Sequence, residues 1–250
     1  MRFIKFGALV WLLSQTITFT GLAAADVDFG GTTRFVFNAR DKAKTITIEN
    51  VGKQAVLAQV TFGDGDDQQA LDDLPLALSK PLIEIQPGDK QTVDILYQGV
   101  GLPRDRESCF LLSVMDIPKV PAEQNRLQIV LRHRLKVFFR PALPMSPTEA
   151  FTRLYWRQAT QSKDAILDAH NDSPYFQTLT DVQFLDRQGR VCGKPVAHLM
   201  LPPFSTRDVQ LADCAKPIAR ITSTFITDEG DRTPHVMAVT RSTPNSGSPI

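Results

Sequence analysis

Residues 126–141, RLQIVLRHRLKVFFRP, alternate apolar and polar side chains along almost their whole length. Leu127, Ile129, Leu131, Leu135, Val137 and Phe139 share one parity, interrupted only by His133, while Arg126, Arg132, Arg134, Lys136 and Arg140 share the other. A period of two belongs to a strand with one buried face, because a helix would scatter the same row around its axis. Strands usually run about five or six residues, and this pattern lasts roughly three times as long. Something must cover the apolar row from end to end.

Most of the remaining chain is also patterned as β-structure. TRFVFNA (33–39), KTITIEN (44–50) and AVLAQVTF (55–62) are short strand-like runs between polar turns. PLIEI and QTVDILY flank a Pro-Gly turn in QPGDK, and SCFLLSVMDIP leads toward the long strand. Pro141, Pro144 and Pro147 then disfavour a continuing element and mark a linker at RPALPMSP (140–147). TEAFTRLYWRQA (148–159) admits either a short helix or an irregular strand. A second β series follows in DAILDAHN, YFQTLTDVQFLD, PVAHLMLP, RDVQL, IARITSTFITD and HVMAVTR. Short strands with turns every 8–12 residues point to sandwiches, one on each side of the linker. The expected architecture is therefore all-β, with domains over 26–143 and 144–250.

The first 25 residues have the make-up of a secretory signal peptide. Arg2 and Lys5 precede a mostly apolar run from Phe6 to Leu22, and Ala23-Ala24-Ala25 offers small residues for cleavage. Polar Ser14 and Gln15 and three threonines break the run, so a spanning anchor is not expected, and no later stretch is long enough for membrane insertion. Without this leader 26 basic residues stand against 27 acidic ones. That near balance gives no general attraction to nucleic acid. Cys192 and Cys214 both lie in the C-terminal half and are candidates for one disulfide. Cys109, in the apolar run CFLLSVMDIP, fits a buried free thiol.

Catalytic constellations are hard to find. His133, His170, His198 and His235 are scattered without metal-ligand spacing, and neither a GxSxG elbow nor a phosphate-binding P-loop occurs. Asp105 and Glu107 alternate with Arg104 and Arg106, which suits a charge network better than an acid/base pair. The acidic, glycine-bearing segment FGDGDDQQALDD (62–73) lacks the ligand spacing of an EF-hand and reads as an exposed loop. Neither an enzyme nor a cofactor or metal site is expected.

The long alternating segment resembles the subunit-binding strand of the PapD-like periplasmic chaperones of the chaperone–usher pathway. LPRDRESCFLLSVMDIP (102–118) is similar to that family's most specific motif. GTTRFVFNARDKAKTITIENVG (31–52), PLIEIQPGDKQTVDI (81–95), HNDSPYFQTLTDVQF (170–184) and LMLPPFS (199–205) resemble further family segments. The resemblance implies two immunoglobulin-like sandwiches arranged as a boomerang around a cleft. It implies an ATP-independent chaperone that lends a strand over 126–140 to unfinished pilus or fimbrial subunits and passes them to an outer-membrane usher. Leu127, Ile129 and Leu131 would be the lent side chains. Arg34 and Lys136 would anchor the subunit's C-terminal carboxylate, and Glu107, Arg140 and Asp228 would form an interdomain charge network. The short stretch KVPAEQNR (119–126) resembles the short-loop branch of the family. An uncovered strand edge also invites capping by a second copy of the free chain. The other readings are a structural pilus or adhesin subunit and a secreted β-sandwich binding module. The few, glycine-bearing residues before Thr33 do not suit the donor extension that a subunit needs.

Overall fold

The computed structural model describes residues 26–63, 74–118, 129–158, 165–211, 214 and 217–241. The signal-peptide reading, Leu127, the short-loop segment 119–126 and almost all of the acidic loop 62–73 lie outside them.

The first half forms two facing sheets. Their strands are β1 (Val27–Asp28), β2 (Arg34–Asn38), β3 (Ala43–Asn50), β4 (Val56–Gly63), β5 (Leu76–Leu78), β6 (Leu82–Ile85), β7 (Lys90–Tyr97), β8 (Ser108–Pro118) and β9 (Leu131–Arg140). One sheet runs β1-β3-β7-β5 and the other β2-β9-β8-β4-β6. Alternating side chains such as Ile46 and Ile48, Val93 and Ile95, Leu112 and Val114, and Leu135 and Val137 meet between the sheets as one core. The N-terminal segment belongs to both sheets, because β1 pairs antiparallel with β3 and β2 pairs parallel with β9. Gly30 and Gly31 make that crossing, with φ of 66° and 72° that a β-carbon would disfavour.

The ambiguous stretch after the linker contains both elements. Pro147–Phe151 is a single helical turn, α1, started by a capping box in which Ser146 and Glu149 exchange side-chain-to-backbone bonds. Leu154–Gln158 is strand β10. The others are β11 (Ala165–Asn171), β12 (Gln177–Asp186), β13 (Val196–Leu201), β14 (Ser205–Leu211), β15 (Ile218–Ile226) and β16 (Arg232–Arg241). They form one continuous ladder, β13-β12-β15-β16-β10-β11-β14, wrapped around Trp156, Leu167, Leu179, Phe184 and Ile221. A parallel pairing of β10 with β16 joins the two halves of this sandwich, so the second domain has no separate sheets. Cys192 and Cys214 are bonded, with Cα atoms 5.3 Å apart, and Cys214 is part of that core.

The paired part of the long strand begins at Leu131, later than its alternation suggests. Asp116 opposite Leu131 is the last rung with β8. Beyond it β8 runs out at Pro118, which has no N–H to donate to the ladder. Ile129 and Val130 continue the chain outside the ladder.

Candidate functional site

β9 divides along its length. From Lys136 onward it lies between β8 on one side and β2 on the other, in the register Arg34–Lys136 through Asn38–Arg140. Ahead of Lys136, β8 is its only ladder partner among the described strands. The strand therefore presents an open edge that ends where β2 begins, at the Lys136 N–H donating to the Thr33 carbonyl (2.9 Å). Burial divides at the same place. Leu135, Val137 and Phe139 belong to the first core, whereas Leu131 is half-buried and Ile129 is 53% exposed. His133, the lone break in the apolar row, is half-buried with its ring edge-on to Phe29 at 5.3 Å. Ile129 and Leu131 are thus not used by the chain's own core.

Arg34 and Lys136 are separated by about a hundred residues but are direct neighbours across the parallel ladder, on the sheet face turned away from the core. Arg34 is 7% exposed, donates to the Ile226 carbonyl at 3.2 Å and lies over the Phe138 ring at 4.7 Å; its Nε has no partner among the described residues. Burial lowers the Arg34 guanidinium from its ordinary value, opposed by the charges of Asp228 and Glu107. Burial likewise lowers the Lys136 ammonium, and the Arg34 charge adds to it while the Cys109 thiol opposes. The groups acting on Lys136 include no carboxylate. Two partly desolvated cations side by side make a place where an incoming anion gains. Open edge and cation pair meet at Lys136. Lys136 has the opposite parity from Ile129 and Leu131, and a guest on the strand edge would have access to both faces.

Glu107, Arg140 and Asp228 come together at the joint between the domains. Arg140 Nε donates to Glu107 Oε1 at 2.6 Å, and its two terminal nitrogens reach the Asp228 oxygens at 2.6 and 2.9 Å. Glu107 also accepts from the Phe176 N–H at 2.9 Å, and its own N–H donates to the Pro174 carbonyl. Burial works against charge on Arg140, but hydrogen bonds to Asp228 and the charges of Glu107 and Asp228 outweigh it and raise its pKa. For Glu107 burial prevails and pushes the carboxyl up, against the pull of Arg140. Phe138, off the apolar parity, is nevertheless 1% exposed, because Phe176 of the second domain packs on it at 5.7 Å. Alternation treats Phe138 as an outward residue; the second domain supplies its cover.

Cys109, on β8 opposite Phe138, is free as expected but half-buried and not fully enclosed. Burial raises its thiol to about 11. It should therefore resist iodoacetamide at about pH 8 while the chain is folded and react readily in denaturant, since the thiolate is the nucleophile. Mass spectrometry of the labelled protein reads this directly, and fast labelling in the native state would contradict the burial. Among the described residues no three His, Cys, Asp or Glu side chains gather as a metal-ligand set.

Residues 30–144 match the family model for the pili and flagellar-assembly chaperone PapD N-terminal domain, and residues 149–237 match that for the pili assembly chaperone PapD C-terminal domain. The chain belongs to the PapD-like family of pilus-assembly chaperones. Among the family's members, chaperone protein FimB/FhaD of Bordetella pertussis is 30% identical over 217 residues, covering 83% of this chain and 86% of that one. The probable fimbrial chaperone YadV of Escherichia coli K12 is 30% identical over 200 residues, 76% of this chain and 79% of its own. The crystal structure of the Pseudomonas aeruginosa CupB2 chaperone superposes with a TM-score of 0.68 at 28% identity, over 83% of this chain and 97% of that one. As in other PapD-like chaperones, two β-domains follow one another. The junction between the matched models, residues 145–148, falls at the linker and the start of α1.

Proposed function

We propose that this chaperone captures unfinished pilus or fimbrial subunits by adding the open edge of β9 to their incomplete sheets, and holds each subunit's C-terminal carboxylate between Arg34 and Lys136. The supporting observation is a single arrangement: a strand with a ladder partner on one side only, unburied apolar residues along it, and a cation pair where the open edge stops. Strand addition uses backbone hydrogen bonds for affinity and alternate side chains for fit. Leu127, Ile129 and Leu131 would enter the guest's groove, at about 1.5–3 kcal/mol for each side chain fully buried. No nucleotide-driven step is needed, because burial of the guest's groove supplies the free energy. Residues 1–25 would direct the chain across the inner membrane to the periplasm, where it would hand its guests to an outer-membrane usher. No described helix is long and apolar enough to cross a membrane.

Co-expression with secreted proteins encoded beside it, followed by affinity purification, tests this reading. Arg34→Ala or Lys136→Ala should reduce the co-purified subunit at least about tenfold, corresponding to about 1.4 kcal/mol or more, and leave the circular dichroism unchanged. Ile129→Asp should weaken capture while shifting the melting temperature of the free chaperone little, since this side chain is outside the core. Full capture by the cation variants would remove the anchor. A large loss of melting temperature in Ile129→Asp would mean that the apolar row serves the chaperone itself.

A further inference from the structure

The wall of the cleft opposite Lys136 carries an imidazole that the anchor as described does not use. His198 stands on β13, at one edge of the second domain's sheet, with its Nε2 3.2 Å from Lys136 Nζ on β9. An ammonium can only donate, so Nε2 accepts and the ring carries its proton on Nδ1, as a neutral imidazole. Arg207 on β14 is the other charge acting on His198, and the ladder partner of His198 on β12 is Thr180, beside the Asp181–Arg232 ion pair at 2.6 Å. Behind Lys136 stand Arg34 on β2 and the Cys109 thiol on β8. Burial first, then Lys136 and Arg207, hold His198 below its ordinary 6.5. The charges that act on His198 are both positive, and no carboxylate acts on it or on Lys136.

We propose that His198 is a third, proton-linked part of the carboxylate anchor, positioning Lys136 across the cleft in the empty chaperone and taking a proton from solvent when a guest's terminal carboxylate arrives. This rests on Arg34 and Lys136 being the anchor. Lys136 has three donors, so one bond to His198 leaves two for the guest. A carboxylate between these groups reverses the local balance: opposite charge nearby favours imidazolium, which can then donate to the same anion. The bound state holds more protons than the free state, so affinity must rise as pH falls through the window between the two His198 midpoints. The lower edge of that window lies below 6.5. A C-terminal carboxyl stays ionised above about pH 4, so the guest's own titration does not enter. The second domain thereby becomes part of guest capture through a side chain as well as through the joint.

Two measurements on the whole chain test this. Histidine-ring NMR from about pH 5 to pH 8 should show a depressed His198 midpoint that moves up in Lys136→Gln; an ordinary midpoint that ignores this substitution overturns the inference with no ligand present. A decapeptide of alternating valine and threonine, as the free acid and as the C-terminal amide, then serves as the guest. The acid should bind about three- to tenfold more tightly at pH 5.5 than at pH 7.5, a midpoint shift of up to about one unit, and His198→Gln should flatten that profile. Acid binding that is independent of pH, or equally pH-dependent in His198→Gln, overturns the role of His198 and leaves the anchor intact. Equal binding of acid and amide overturns the anchor, and this inference with it.

Discussion

Arg140→Ala should cost the free chaperone about 3–5 kcal/mol and convert its unfolding from one cooperative transition into two. The residue lost is the common partner of Glu107 and Asp228, and Glu107 is 4% exposed. Without the guanidinium, a buried carboxylate keeps only the Phe176 N–H, and Asp228 loses its bidentate partner. The joint itself then loses definition, because the same guanidinium also lies over the Tyr175 ring at 4.9 Å. Arg140→Lys should recover part of the loss, restoring charge without the fork that serves two carboxylates at once. Differential scanning calorimetry distinguishes these outcomes. A single transition with less than about 1 kcal/mol lost would mean that this network is no stronger than a surface pair.

Breaking the Cys192–Cys214 bond should cost about 3 kcal/mol, felt only in the second domain. The two cysteines are 22 residues apart, and closing a loop of that size removes about that much chain entropy from the unfolded state. The bridge ties the turn after β12, where the Cys192 N–H donates to the Phe184 carbonyl, to the segment ahead of β15, where Cys214 is in the core. Dithiothreitol, or Cys192→Ser with Cys214→Ser, should lower the second domain's transition and spare the first. Cys109→Ser serves as the control, since that thiol is unbonded. An unchanged melting curve after verified reduction would show that the core alone holds this segment.

What could be read from the chain depended on the range of each signal. Core parity in β9 was legible because alternation is local: Leu135, Val137 and Phe139 are inside as their spacing requires. The two- and three-residue strands β1 and β5 leave no mark in the sequence, because so few residues carry no period. TEAFTRLYWRQA was ambiguous because it holds a capped helical turn and a strand within twelve positions. The wrapping of the second sandwich rests on β10 lying parallel to β16 some eighty residues away, which no local pattern encodes. Only the family resemblance singles out Arg34 and Lys136; their pairing across a parallel ladder is a fact of register. His198 gave no sign at all. An isolated histidine in PVAHLMLP has no partner spacing, and only the approach of the two domains puts it beside Lys136. The joint residues Glu107, Arg140 and Asp228 likewise sit far apart in the chain and meet only once both domains are folded.

The open edge, Lys136 of the cation pair and Arg140 of the joint all lie on one unbroken strand. β9 rises about 3.3 Å per residue, so Leu131, Lys136 and Arg140 are graduations on a rigid rule, about 17 Å and then about 13 Å apart. Under the proposed anchoring, a guest whose end is pinned at Lys136 would be measured against that rule. One residue too many or too few would turn every guest side chain to the wrong face. Because Arg140 fastens the rule to the second domain, the zero of the scale is set by how the two domains are joined.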